Sequence, residues 1–272
     1  MITSFLITFR ETLEAVLVVG IILAYLVKTK QSEYKRFVWW GVLFGILVSI
    51  AGAAIFAGLL GGLSGRVEEI FEGILMFIAA GLLTTMIFWM ASQGRYAARE
   101  LEERVSHEVR EEHAVGILGL VFFAVLREGV ETVIFLGAAS RVEETSILGP
   151  ILGIGLALIL GWLIFWGATK LRVRWFFRVS SIVLILFAGG LIAHGIHEFQ
   201  EAGLLSILIE HLWDINWLIP EKGTLGGILK ALFGYNGNPS LIEVVSWSVY
   251  LILVITLYRG VERFPSRFEK QA

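Results

Sequence analysis

The chain has 272 residues, of which 57% are apolar and only 17% are charged, and its mean hydropathy is +0.79. This composition excludes an ordinary soluble domain and is typical of a polytopic membrane protein. The chain contains no cysteine, which excludes disulfides and thiolate sites, so we expect oxygen or imidazole ligands for any bound metal. The formal net charge of −2 says little about function until the charged residues are assigned to the two sides of the membrane.

Seven apolar segments are long enough to form transmembrane helices, which need about 20 residues each. They fall at roughly 3–27, 37–60, 70–91, 114–139, 147–169, 179–200 and 241–258. The sequence therefore predicts an all-α membrane protein with seven transmembrane helices. Gly41-x-x-x-Gly45 in the second helix and Gly149-x-x-x-Gly153 in the fifth predict faces for close helix packing.

Positive charges alternate from one predicted loop to the next. Lysine and arginine gather after the first, third, fifth and seventh helices, and the other loops hold few of them. Because cytoplasmic loops carry the excess of these residues, the pattern places the N-terminus outside and the C-terminus inside the cell. Acidic residues predominate on the outer side, where they would concentrate cations. The alternative is that acidic residues are simply tolerated there.

Two copies of one charged motif lie within the predicted membrane helices. Arg10-Glu11-x-x-Glu14 is in the first helix and Arg127-Glu128-x-x-Glu131 is in the fourth. On a helix, each arginine is one turn from the second glutamate of its motif, and the two glutamates lie on neighbouring faces. An unpaired charge at the centre of a membrane helix costs about 2.5–3.5 kcal/mol, so charges placed there indicate a function.

The glutamates of the motifs outnumber the arginines by four to two. We predict a midplane cation site made by the four motif glutamates, Glu11, Glu14, Glu128 and Glu131. Arg10 and Arg127 would balance their charge when the site is empty. Carboxylates are hard ligands and favour oxidised iron, manganese, magnesium or calcium over copper(I). A plainer alternative, two self-neutralising Arg–Glu pairs that join the helices, accounts for only one glutamate per arginine.

The recurrence of the motif suggests that helices one to three and four to six are two copies of one unit. An odd number of helices per unit inverts the second copy in the membrane, which is a recurring plan of transporters. The linker between the copies is densely charged, and we predict a solvated helix there. The chain is then a single transmembrane domain with repeat 1 at about 1–92, a cytoplasmic linker at about 93–113, repeat 2 at about 114–202, an outer loop at about 203–239, a seventh helix at about 240–260 and a cytoplasmic tail at 261–272.

A second group of acidic and imidazole side chains is predicted near the outer surface. It lies at the start of the third helix and the end of the sixth, and its members are Glu72, His194, His197, Glu198 and Glu201. Imidazole together with carboxylate is ordinary ligation for iron, so this group is a candidate outer iron-collecting site. The alternative is a set of polar residues that face water at the membrane surface.

The two motifs, in the first and fourth of seven helices, resemble those of the oxidase-dependent iron permease family, which includes the fungal high-affinity iron permease and bacterial ferrous-iron uptake permeases. The likeness extends to Glu72-Gly73, to the stretch from His197 to Gly203, and to Leu232-Phe233-Gly234-Tyr235-Asn236. It implies a multi-pass protein of the plasma (inner) membrane that imports iron, with the motif glutamates binding the ion and ferrous iron oxidised to ferric before or during passage.

The same resemblance defines the expected ligands and partners. Iron is the expected transported substrate, and no organic cofactor is expected. The protein is expected to lie in a lipid bilayer and to bind no nucleic acid. An oxidase or an extracytoplasmic iron-delivery protein is a candidate partner.

Two alternatives stay open at this point. The family also includes lead-linked permeases, so the substrate could be another metal cation such as lead or manganese. An intramembrane metal-dependent enzyme would be a protein of another class, but the sequence lacks a recognised hydrolase or desaturase histidine pattern. In particular, His197-Glu198-Phe199-Gln200-Glu201 has glutamate where a zinc-protease motif has its second histidine. The prediction is therefore a transporter and not an enzyme.

Overall fold

The structure is a computed structural model that describes residues 1–93, 97–110, 113–142, 146–165, 173–221 and 223–263. Within these ranges the chain is helical and contains no β-strand. The helices are α1 (Ile2–Lys28), α2 (Lys35–Gly61), α3 (Arg66–Gln93), α4 (Ala97–Arg110), α5 (Ala114–Val142), α6 (Leu148–Phe165), α7 (Val173–Glu201), α8 (Thr224–Phe233) and α9 (Leu241–Arg263), with a short 3₁₀ turn at Ser32–Tyr34.

Long apolar helices dominate the described part of the chain. Those long and apolar enough to cross a membrane lie in five segments, namely Ser32–Gly61, Arg66–Met90, Leu148–Phe165, Val179–Glu201 and Leu241–Gly260. Helices α1 and α5 are as long as the others, but each carries the three charges of one motif near its middle. The prediction of an all-helical polytopic membrane protein is confirmed.

The seven predicted segments fall in α1, α2, α3, α5, α6, α7 and α9. Hydropathy located these helices but not their ends, because several continue into polar or charged turns; α7, for example, begins at Val173. Residues 166–169 of the fifth predicted helix lie outside the described residues. So do 264–272 of the predicted tail and 94–96 and 111–112 of the predicted linker.

Two helices lie in segments predicted as linker and loop. The charged linker forms α4, whose apolar face is not solvated, because Val105 is fully buried in a cluster built from α1, α2 and α5. The outer loop contains α8, which the sequence did not predict. Helix α8 ends at Phe233 and is followed by Gly234, whose φ of 67° is in the left-handed region that glycine adopts freely.

Three helix pairs form the body of the fold: α1 packs on α6, α2 on α5 and α3 on α7. Two of these pairs use the predicted glycine faces. Gly41 and Gly45 of α2 lie against the backbone of α5, and Gly149 and Gly153 of α6 lie against the backbone of α1. A Cβ atom at any of these glycines would clash with the neighbouring helix, so the glycines allow the close approach.

The third pair, α3 and α7, is joined by a reciprocal glycine and phenylalanine contact. The ring of Phe199 in α7 lies over Gly73 of α3, and the ring of Phe77 in α3 lies over Gly195 of α7. The two rings stack with their centroids 5.5 Å apart and an interplanar angle of 12°. This contact borders the largest hydrophobic core, which α3, α5, α7 and α9 share with Ile7 of α1.

Candidate metal site

The motifs of α1 and α5 meet between the two helices. Glu11 of α1 and Glu128 and Glu131 of α5 each place one carboxylate oxygen within 4.8 Å of the others. Glu11 and Glu128 are buried, and Glu131 is partly buried. Over the described ranges, this is the only group of three or more acidic or histidine side chains whose ligand atoms come so close together.

The same three carboxylates have unused hydrogen-bonding capacity. Among the residues that the structure describes, the Oε2 atoms of Glu11, Glu128 and Glu131 are buried and accept no hydrogen bond. Burying an unpaired carboxylate oxygen is unfavourable, because the oxygen loses water and gains no donor in exchange. A bound cation would supply the missing interaction, and carboxylate oxygens are common ligands of hard cations.

Arg10 is fully buried beside this group. Its Nη1 atom is 2.9 Å from Oε1 of Glu11, and its Nη2 atom is 2.8 Å from Oε1 of Glu14. The guanidinium also donates to the sulfur atoms of two methionines of α3, Met86 at 3.0 Å and Met90 at 2.8 Å. Two carboxylates and two thioethers therefore surround one guanidinium.

Arg127 of the second motif has different surroundings. Its Nε atom is 2.8 Å from Oε1 of Glu131 and 3.8 Å from Oε1 of Glu128. The guanidinium carbon lies 5.6 Å from the ring centroid of Trp89 in α3, which is within cation–π distance. Half of the side chain is exposed, whereas that of Arg10 is completely covered.

Three of the four predicted midplane glutamates thus come together, and the fourth lies beside them. Glu14 is paired with Arg10 and is within electrostatic reach of Glu131 and Arg127, but it is not a member of the three-carboxylate group. We refer below to Glu11, Glu128 and Glu131 as the carboxylate site.

The predicted outer residues lie where the start of α3 meets the end of α7. Glu72 is held by Arg141 of α5, with 2.6 Å between its Oε1 and the Nη1 of the arginine, which is also 3.3 Å from Glu68. Glu198 is within electrostatic reach of Glu72 and of Glu201. Acidic side chains therefore surround one arginine at this end of the bundle.

The two predicted outer histidines differ in their contacts. His197 lies 3.3 Å from Glu201 through Nε2 and 3.2 Å from Glu243 of α9 through Nδ1. His194 is buried, and its Nε2 atom has no hydrogen-bond partner in the described part of the chain. The outer residues share one region, but their ligand atoms do not converge as those of the carboxylate site do.

Sequence reasoning missed four residues around these groups: Met86, Met90, Arg141 and Glu243. Of these four residues, only Glu243 belongs to a motif that can be recognised in the local sequence. Ser240-x-x-Glu243 forms a capping box at the start of α9, in which each residue's side chain accepts from the backbone N–H of the other. Glu243 also accepts from Asn236 at 2.8 Å, and this loop contact could not be read from the spacing.

Long apolar helices that enclose a group of buried acidic and basic side chains are typical of membrane transport proteins. Residues 1–261 match the iron permease FTR1 family, and the chain therefore belongs to that family. Because this is a family of permeases, the protein is a transporter rather than an enzyme, as the sequence predicted.

Several relatives are similar over nearly their whole length. The ferrous iron permeases EfeU of Escherichia coli O157:H7 and of Shigella sonnei strain Ss046 are each 35% identical over 263 residues, which cover 95% of this chain and 95% of the relative. The ferrous iron permease EfeU of Yersinia pestis is 34% identical over 263 residues, or 95% of this chain and 93% of the relative. No solved structure matches the chain significantly.

Proposed function

We propose that the protein imports iron across the plasma membrane by way of the carboxylate site. The family and the names of the relatives support iron as the transported ion. The observation that carries the proposal is that Glu11, Glu128 and Glu131 converge from two helices, and that each keeps a buried oxygen without a donor in the described structure. Such oxygens favour a metal cation over any anion.

The arginines give the site a way to release its ion. A transport site must bind well enough to load and weakly enough to unload. Arg10 and Arg127 already pair with motif glutamates, so an arriving cation competes with two tethered positive charges. When the ion leaves, the arginines pair with the glutamates again, which lowers the energy of the empty site.

We further propose that α1, α2, α3, α5, α6, α7 and α9 all cross the membrane, with the N-terminus outside. The distribution of lysine and arginine supports this orientation. The helix pairs support two inverted repeats, α1–α3 and α5–α7: exchanging the repeats turns the α1–α6 pair into the α5–α2 pair and leaves α3 paired with α7. Helix α9 is then an addition outside the repeats.

This topology can be tested by thiol labelling, because the natural chain has no cysteine. We expect Glu210→Cys, in the exposed outer loop, to react with a membrane-impermeant maleimide added to intact cells. Arg99→Cys, exposed on α4, should react only after the cells are opened. Reaction of Arg99→Cys in intact cells would contradict the proposed orientation.

The outer residues are proposed to collect iron before it reaches the carboxylate site. Glu72, Glu198 and Glu201 give this region a negative charge, which attracts cations, and His194 and His197 add imidazole ligands. An external oxidase or iron-delivery protein would meet the chain on this side. Oxidation of ferrous iron before or during passage would transfer one electron per iron to that oxidase. Uptake of ferrous and ferric iron into vesicles, with and without an added oxidant, tests this step.

The central test is iron uptake by a charge-neutral variant of nearly unchanged size. Glu131→Gln removes one carboxylate of the site, and we expect it to abolish iron uptake while membrane insertion stays normal. Glu103→Gln is a matched control, because Arg99 and Glu103 form an ion pair with the same spacing on the exposed face of α4. Normal iron uptake by Glu131→Gln would overturn the assignment, and competition by manganese or lead measures the preference for iron.

A further inference from the structure

The cage around Arg10 has a chemical composition that does not suit an arginine. Its walls are the carboxylates of Glu11 and Glu14 and the sulfur atoms of Met86 and Met90. A thioether is a weak hydrogen-bond acceptor, so two of the four partners are poor ones for a guanidinium. Over the described residues, the buried Nε atom of Arg10 has no hydrogen-bond partner at all.

The same four groups are good ligands for a transition-metal ion of intermediate softness. Thioethers are soft ligands, whereas magnesium, calcium and manganese prefer carboxylate, carbonyl and water oxygens. Met86 and Met90 are one turn apart on α3, and both reach Arg10, so their sulfur atoms lie on one face of the helix. Ferrous iron is softer than ferric iron and accepts a mixed set of oxygen and sulfur ligands.

Glu11 connects this cage with the carboxylate site. Its Oε1 atom binds Arg10, while its Oε2 atom is buried without a hydrogen-bond donor in the described structure, and the residue is a member of both groups. An ion bound by Glu11, Glu128 and Glu131 can therefore pass to the position now occupied by the guanidinium of Arg10 while it stays bound to Glu11.

We propose that Glu11, Glu14, Met86 and Met90 form a second iron-binding station, the thioether station, which selects ferrous iron over harder divalent cations. Ferrous iron enters the station when the guanidinium of Arg10 withdraws, and Arg10 returns when the ion leaves. This inference rests on the proposed function. It also places iron inside the membrane in the ferrous state.

Trp89 links the station to the second motif. It lies between Met86 and Met90 in the sequence of α3, and its ring is the cation–π partner of Arg127. A single turn of α3 therefore touches the arginines of both motifs. Movement of this turn would change the surroundings of Arg10 and Arg127 together.

The absence of cysteine makes a direct spectroscopic test possible. Full-length protein in detergent is loaded with ferrous iron without oxygen, and X-ray absorption at the iron edge reports the atoms bound to the metal. Because the chain has no cysteine, sulfur in the first coordination shell can come only from methionine. We expect a sulfur neighbour in the natural protein, and a first shell of oxygen and nitrogen alone would overturn the proposal.

Leucine variants locate the sulfur and test its role in transport. Met86→Leu combined with Met90→Leu should remove the sulfur signal and lower the preference for ferrous iron over manganese by about tenfold, equivalent to about 1.4 kcal/mol. Met76→Leu is the matched control, because Met76 is buried on the same helix and in the same hydrophobic core as Met86, whereas the sulfur atoms that Arg10 contacts are those of Met86 and Met90. It should keep the sulfur signal and the natural preference.

These outcomes separate the station from the proposed function. Iron uptake that depends on Glu131, combined with an unchanged metal preference in the double methionine variant, overturns the station alone. Iron uptake that does not need Glu131 overturns the proposed function. If the double variant fails to insert into the membrane, the X-ray absorption spectrum of the natural protein still tests whether a methionine sulfur binds the iron.

Discussion

The two Arg-Glu-x-x-Glu motifs have the same pattern but different surroundings. Arg10 is completely buried and has four partners, whereas Arg127 is half exposed and lies between carboxylates and one indole ring. The difference originates in α3, which supplies Met86 and Met90 to the first motif and Trp89 to the second. The motifs therefore offer two different environments for positive charge.

The same asymmetry distinguishes the two proposed repeats. The contacts of Gly73 with Phe199 and of Phe77 with Gly195 join the start of α3 to the end of α7, so the two helices run in opposite directions. Helix α7 contains no methionine from Val173 to Glu201, so it cannot give Arg127 the thioether partners that α3 gives Arg10.

The largest expected effect is on stability. Arg10→Gln leaves Glu11 and Glu14 buried without their counter-charge, and breaking a buried ion pair in this way costs about 3–5 kcal/mol. Arg127→Gln should cost less, because its side chain is half exposed. The free energies of unfolding can be compared in mixed micelles by tryptophan fluorescence. Equal losses in the two variants would show that the difference in burial has no energetic consequence.

The next effect concerns the glutamates. Glu11 belongs to both the carboxylate site and the thioether station, whereas Glu14 belongs only to the thioether station. We therefore expect Glu11→Gln to abolish iron uptake and Glu14→Gln to reduce it while leaving measurable transport. Initial rates of iron uptake in vesicles, normalised to the amount of inserted protein, provide the measurement. A greater loss in Glu14→Gln than in Glu11→Gln would reverse this order.

The smallest expected effect is that of Trp89→Leu. A cation–π contact contributes about 0.5–2 kcal/mol, so its loss should change the apparent affinity for iron by a few-fold to tenfold without stopping transport. Trp217→Leu serves as the control, because Trp217 is highly exposed in the outer loop. If both variants behave alike, the contact of Trp89 with Arg127 does not contribute to iron binding.

Local spacing predicted what lies within a single helix. The one-turn spacing of each motif correctly indicated the Arg10–Glu14 and Arg127–Glu131 ion pairs, because residues four apart share a helix face. Each of the seven segments predicted from hydropathy falls within a helix of the described structure, because a long apolar run can be recognised without knowledge of the tertiary structure. The proposed orientation and repeats stay predictions that the labelling experiment can test.

Contacts between helices could not be predicted in the same way. The absence of cysteine suggested oxygen and imidazole ligands alone, and the thioethers of Met86 and Met90 were overlooked, because methionine in an apolar helix has no distinguishing pattern. Only the tertiary fold brings α3 close enough to α1 for their sulfur atoms to reach the long side chain of Arg10. Helix α8 was missed because Gly226 and Gly227 lower its intrinsic helix propensity, and its end is fixed instead by the contact of Gly234 with Gly190 of α7.

The stacked rings between α3 and α7 restrict how these two helices can move relative to each other. Each ring fills the space over a glycine of the opposite helix, so sliding one helix by a turn, about 5.4 Å, would drive both rings against side chains or backbone. A rotation about the ring pair leaves both rings seated. This contact should therefore oppose translation of α3 along α7 more strongly than rotation about the ring pair, and it lies beside Glu72 and Glu198 of the predicted outer group.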